Sequence, residues 1–225
     1  MERIKFVSNN LFNIGKIQNV SIGLLGTKIG MTQVFNSNGT CIPVTVLRVG
    51  PCIITQIKTT KSDGYNAIQV GYSQVATHLL TKARLGHLNK AHAPTLKYLQ
   101  EYRVDSPDQF NIGQVLTADQ LRIGETVNIQ GKSIGKGFSG YQKRHNFSRG
   151  PMSHGCKNHR QPGSIGAGTS PGRVFPGKKM AGRLGGAKIT VKNLQVIDVN
   201  IEQHFILLKG SVPGKPGSIL NIQIR

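Results

Sequence analysis

Met31-Thr32-Gln33-Val34-Phe35, the quartet Asn36-Ser37-Asn38-Gly39, and the run Cys41-Ile42-Pro43-Val44-Thr45-Val46-Leu47-Arg48-Val49 read as strand, turn, strand. In the second strand Ile42, Val44, Val46 and Arg48 fall on one face, while Thr45, Leu47 and Val49 fall on the other. Gly50-Pro51 breaks the run and Ile53 to Lys58 resumes it. Ser62-Asp63-Gly64 turns the chain again, and Ala67 to Val70 is a further short strand. Strands this short, with turn signals about every ten residues, predict a sandwich or barrel rather than a βαβ array.

Outward from that core the pattern changes. From Val75 to Tyr102 the leucines at 79, 80, 85, 88, 96 and 99 have partly helical spacing, interrupted by Gly86 and Pro94. One or two short helices on the outside of the β core are expected there. Asp105 to Glu125 has a brief helical patch near Ala118 to Leu121, and Val127-Asn128-Ile129 alternates like a strand. Strand grammar returns late, in Ile189 to Val191, Leu194 to Val199, Phe205 to Leu208 and Ile219 to Ile224, with a stiff turn at Val212 to Gly217. These late strands are too few for a core of their own and most economically complete the sheet begun near residue 21. The expected division is therefore a globular β domain of residues 21–130 and 189–225, with 131–188 extruded from it as an extended loop. Residues 1–20 are expected to be a flexible extension.

That loop carries the function. No acidic residue occurs between Glu125 and Asp198; that stretch holds half of the chain's 28 glycines, and Lys132 to Lys192 within it contains thirteen Lys and Arg. The chain of 225 residues has a formal charge of +20. Such a segment repels itself and needs a dense anionic partner, for which a structured nucleic acid is the best match. Charge alone does not separate phosphate from a lipid surface. However, Gln161-Pro162-Gly163 and Ser170-Pro171-Gly172 exclude the amphipathic helix of a surface anchor. No apolar run approaches the roughly 18 residues of a membrane span, and the basic, Asn-rich start lacks a secretory h-region. Three cysteines without framework spacing (Cys41, Cys52 and Cys156) fit a reducing compartment.

The RNA-binding candidates are Lys132, Lys136, Lys143, Arg144, Arg149, His154, Lys157, Asn158, His159, Arg160, Ser164, Arg173, Lys178, Lys179, Arg183 and Lys188. Their cations are spread out, which suits a thread tracking successive phosphates. Phe138, Tyr141, Phe147 and Phe175 either stack on unpaired bases or, for Phe138 and Phe175 especially, anchor the arm's root in the core. An arm of this composition is expected to lose conformational entropy only on binding.

Three motifs mislead. Gly135-Lys136-Gly137-Phe138-Ser139-Gly140 matches a dinucleotide fingerprint literally, but no acid follows at the required distance. Gly131-Lys132-Ser133 ends like a phosphate-binding loop, but Thr126 stands where its first glycine belongs. His145, His154, Cys156 and His159 lack the regular second pair of a zinc site. Neither a catalytic triad nor a paired-carboxylate site stands out, so no enzymatic role, metal or cofactor is expected.

Gly23-Leu24-Leu25-Gly26-Thr27-Lys28-Ile29-Gly30-Met31-Thr32-Gln33-Val34-Phe35 resembles the opening of large-subunit ribosomal protein L-three of bacterial type. The resemblance continues through Ile42 to Val46, Gly135 to Gly140, Ser153-His154-Gly155 and Pro162 to Gly166. It extends through Pro171 to Phe175, Gly177 to Gly182 and Lys209 to Gly214, covering about residue 21 to the C-terminus. Arg149 to Gly155 and Ala167 to Arg173 are similar to the cyanobacterial and plastid branch, and the Ile, Asn and Lys richness favours a plastid over a cyanobacterium.

The resemblance implies a β-barrel of the translation-protein type with short peripheral helices and a long basic arm. It implies a structural protein that binds 23S rRNA near its 3′ end early in large-subunit assembly. The arm would reach towards the peptidyl transferase centre, with Ser164 to Pro171 as its tip. Implied partners are 23S rRNA and neighbours of the L-fourteen and L-nineteen types, with neither a membrane nor a second copy of the chain. Ala167 occupies the place of a glutamine that is methylated in some bacterial members, so that modification is not expected. The competing reading is a general DNA- and RNA-compacting basic protein, which would bind duplex DNA and folded rRNA equally.

Overall fold

Alternating apolar residues between tight turns give the chain its strands. The computed structural model describes residues 23–224, so the expected flexible extension at 1–20 lies outside the described residues. In chain order come β1 (Gly23–Phe35), β2 (Cys41–Val49), β3 (Cys52–Lys58), α1 (Thr60–Asp63), β4 (Ala67–Gln74) and α2 (Lys82–Lys90). Next are β5 (Leu96–Arg103), β6 (Val115–Leu116), β7 (Thr126–Lys132), β8 (Phe138–Ser139), α3 (Tyr141–His145) and β9 (Gly182–Arg183). β10 (Lys188–Asn200), β11 (Phe205–Lys209) and β12 (Ile219–Ile224) complete the order. No helix among the described residues is long and apolar enough to cross a membrane.

β1, β12, β7, β10, β11 and β2 close into a barrel in that order. Its strands come from both sides of the basic segment: β12 pairs with β1 and with β7, and β11 pairs with β2. Residues directly opposite one another share a face, so Leu24, Ile222 and Ile129 form one layer across three strands. Leu47 and Ile206 form another. All five are buried, and each contributes ~1.5–3 kcal/mol by leaving water. On β2 the inward set is Thr45, Leu47 and Val49 as the alternation predicts, with Arg48 exposed; Val44 is buried as well.

The second sheet, ordered β5-β4-β3-β6, packs on the barrel's outside and shares its core. Two tyrosines tie the layers together. The Tyr72 hydroxyl lies 3.1 Å from Thr27 Oγ1 and donates to the Arg48 carbonyl at 3.3 Å, while Tyr102 donates to the Leu24 carbonyl at 3.3 Å. Burial pushes both phenols above their ordinary pKa and raises the Cys52 thiol to about 11, so all three stay neutral.

One stretch departs from the sequence reading. α2 supplies the expected helix, but Leu96 and Leu99 belong to β5, which runs antiparallel to β4 from Gln74↔Leu96 to Ala67↔Arg103. Pro94 ends the helical pattern, and the leucine spacing beyond it belongs to an edge strand buried unevenly along its length.

Candidate nucleic-acid interface

The arm leaves the barrel as a continuation of its sheet. β7 and β10 pair up to Lys132↔Lys188, and main-chain hydrogen bonds then carry the two limbs outward side by side. Ser133 N–H donates to Ala187 O at 2.9 Å, Lys136 N–H to Leu184 O at 2.8 Å, and Leu184 N–H to Gly137 O at 2.9 Å. The β8–β9 pair, Phe138↔Arg183 and Ser139↔Gly182, extends this ribbon. Gly185 has φ +70°, and a Cβ there would overlap the Ile134 carbonyl oxygen, so the limbs approach this closely only with glycine.

Beyond the ribbon α3 turns the chain and ends at Asn146 in the left-handed conformation. Arg144 Nη1 donates to the Met180 carbonyl at 2.6 Å and His145 Nε2 lies 2.9 Å from the same oxygen, so two basic side chains brace outgoing against returning limb. Farther out, Gly150 N–H donates to His159 O at 3.3 Å and the His159 Nδ1 is 3.0 Å from Pro151 O, closing a small loop. Residues 161–179 are exposed without exception. Ser164 Oγ donates to Gly166 O at 2.9 Å, and the Arg173 guanidinium sits over the Phe175 ring, 5.7 Å from its centroid.

The sixteen candidates are therefore strung along a ribbon rather than gathered at one point. Lys132 and Lys188 face each other at the root, and Lys136 and Arg183 lie on its two limbs. Lys143 and Arg144 are on α3; Arg149, His154, Lys157, Asn158, His159 and Arg160 belong to the closed loop; Ser164, Arg173, Lys178 and Lys179 occupy the outer and returning stretch. All are exposed except Arg144 and His159, which are half-buried. Phe138 is 81% exposed and Phe175 58%, so neither anchors the root in the core. Tyr141 and Phe147 stack on each other at 5.9 Å.

Electrostatically the ribbon is uncompensated. The ion pair among the described residues is Lys58–Glu101, 2.7 Å, on the second sheet. There the hydrogen bond from Lys58 holds Glu101 below the usual carboxylate range, helped by one from Tyr65, and Lys58 is raised in turn. No arm cation has such a partner among the described residues, and each exposed one is available to an external anion.

Sequence reasoning missed Lys28. It is only 7% exposed, and its Nζ donates to Val212 O at 3.1 Å and Gly214 O at 3.2 Å. The turn so held lies against Gly131 and the Lys132 carbonyl, so a barrel lysine fixes the ground from which the arm departs. A lone lysine in Gly-Thr-Lys-Ile-Gly carries no signal of burial.

Comparison with known proteins finds relatives along most of the chain. The family model described as "Ribosomal protein L3" matches residues 99–204. The chain is 62% identical over 203 residues to the large ribosomal subunit protein uL3c of Porphyra purpurea, covering 90% of this chain and 99% of the relative. It is 60% identical to uL3c of Phaeodactylum tricornutum, covering 89% and 97%. It is also 60% identical to uL3 of Synechococcus elongatus, covering 90% and 95%. Identity at this level over nine-tenths of the chain, spanning both barrel and arm, places it in one family: the chain belongs to the ribosomal protein L3 family.

Proposed function

We propose that this chain is a structural, non-catalytic constituent of the large ribosomal subunit in a plastid or a cyanobacterium. In this reading residues 21–130 and 189–225 are the globular seat and 131–188 is the arm. The sixteen candidates engage 23S rRNA near its 3′ end, most of them positioning backbone phosphates rather than reading bases. The arm extends towards the peptidyl transferase centre, and binding early in assembly fixes RNA geometry that neighbours of the L-fourteen and L-nineteen types then meet. The observation that carries the reading is a braced two-limbed ribbon bearing exposed cations with no acid between Glu125 and Asp198.

Affinity for a 23S rRNA fragment, measured across salt with duplex DNA as competitor, tests it. Six to ten phosphate contacts predict a loss of ~10³–10⁵ between 50 and 200 mM salt on the scale for duplex DNA. Lys178→Ala should reduce the slope by about one. A flat salt response, or equal affinity for duplex DNA, refutes the reading.

A further inference from the structure

Where the edge strand β5 passes the root of the arm, a cavity of about 430 Å³ opens on the outer face of the barrel. Tyr98 and Leu99 of β5 line one side, and Gln130, Lys132, Lys188 and Asn221 line the other. The strand register accounts for the company. Asn221 stands opposite Gln130, and Lys132 opposite Lys188, so an amide pair and a lysine pair share one sheet face.

Two features there lack a use within the chain. Asn221 Oδ1 is buried without a hydrogen-bond partner, and its neighbour Gln130 is already committed, donating from Nε2 to Thr190 Oγ1 at 3.1 Å. A buried acceptor left unpaired is unfavourable, so a turn of the Asn221 amide towards a partner in the cavity gains a hydrogen bond. Lys132 and Lys188 place two ammonium groups on one rim with no carboxylate against either among the described residues. Lys97 adds a third nearby cation, its Nζ 5.4 Å from the centroid of the Tyr98 ring.

We propose that this cavity receives a single unstacked nucleotide of RNA. The base lies against Tyr98 and Leu99, an N–H on its edge donates to the Asn221 amide oxygen once that side chain turns into the cavity, and its phosphate sits between Lys132 and Lys188. The inference rests on the RNA-binding reading above and adds to it a defined nucleotide site at the arm's root, shared with β5 and β12. A cavity of this volume falls within the roughly 300–1,000 Å³ of ordinary small-ligand sites, and unstacked bases in loops and bulges are what proteins recognise most specifically in RNA. A peptide segment fits less well, because it would need an apolar side chain, an amide donor and two carboxylates at one point.

Zero-length photocrosslinking of the full chain to large-subunit rRNA, followed by nuclease digestion and mass spectrometry, tests the site. The expected result is a nucleotide adduct on Tyr98 in addition to adducts along residues 132–188. Asn221→Leu should then weaken rRNA affinity about tenfold, within the range lost when one stacked base is released, while the thermal transition stays in place. If that variant fails to fold, the native-chain adduct still decides. Adducts on the arm with none at Tyr98 overturn the nucleotide site and leave RNA binding standing. A crosslink from Tyr98 to another ribosomal protein overturns it in favour of a peptide occupant. Absence of adducts anywhere overturns the RNA reading and this inference together.

Discussion

Replacing Lys28 by methionine isolates the contact that seats the arm. Methionine keeps the length and apolar character of the stem, so the loss is confined to the ammonium group and its hydrogen bonds to Val212 O and Gly214 O. Hydrogen bonds to a charged group are worth ~1.5–3 kcal/mol each. Removing a buried charge also relieves a desolvation cost, which offsets part of that sum. The net expectation is a loss of about 3 kcal/mol, or roughly 6–12 °C in Tm for a chain of this size. The sign is informative: on a chain of net charge +20, deleting any cation should by itself relieve repulsion and stabilise slightly. Thermal unfolding followed by circular dichroism in moderate salt gives the first readout. Amide exchange gives the second, with Ser133 and Gly186 at the arm root losing protection before the barrel strands do. A Lys28→Met chain that melts with the parent, or above it, would show that the ammonium does not hold the turn.

Three further outcomes are expected. Gly185→Ala forces a Cβ into the Ile134 carbonyl at positive φ. The limbs should splay, with amide exchange quickening at Lys136 and Leu184 while barrel amides keep their protection; unchanged exchange refutes the close approach. Tyr102→Phe removes the buried hydroxyl that donates to Leu24 O and should lower stability by ~1 kcal/mol in urea titration; an unchanged midpoint would mean that this tie between the layers contributes nothing. Because Glu101 is depressed in the folded chain, first by the Lys58 hydrogen bond, its contribution is present above the ordinary carboxylate pKa and disappears as pH falls through the lower native value. The stability difference between parent and Glu101→Gln should follow that course, small because the carboxylate is well exposed; a difference that grows on acidification contradicts the assignment.

The barrel was legible where local pattern and tertiary burial coincide. Cys41–Val49 alternates between turn signals, and Thr45, Leu47 and Val49, which the alternation puts on one face, are buried together, with Val44 the one buried exception from the other face. β5 was not legible: Leu96, Leu99 and Tyr102 repeat at three-residue steps, and the strand's burial follows its position at a sheet edge instead of alternating. β10 reads as two runs in the sequence because Lys192 and Asn193 interrupt it, Asn193 at φ +59°; the structure carries one strand through an irregularity in register. In the arm the cations were visible, since charge is a property of single residues. The ribbon that mounts them was not. Ser133 and Ala187 are far apart in sequence, their limbs are rich in glycine, and main-chain pairing leaves no side-chain pattern to read. Arg144 and His145 are basic residues like the others in the sequence; only the structure shows them gripping the Met180 carbonyl.

The position of β12 has a consequence for the newborn chain. Among the described residues Ile219–Ile224, which follows the basic limb in sequence, is the strand that bridges β1 to β7. During synthesis the whole polycationic limb is therefore made before the seat beneath it can shut. Until β12 emerges, the limb is tethered to an open sheet with its direction unset. Synthesis of β12 thus acts as a clock, setting the moment at which the limb acquires a shut barrel beneath it.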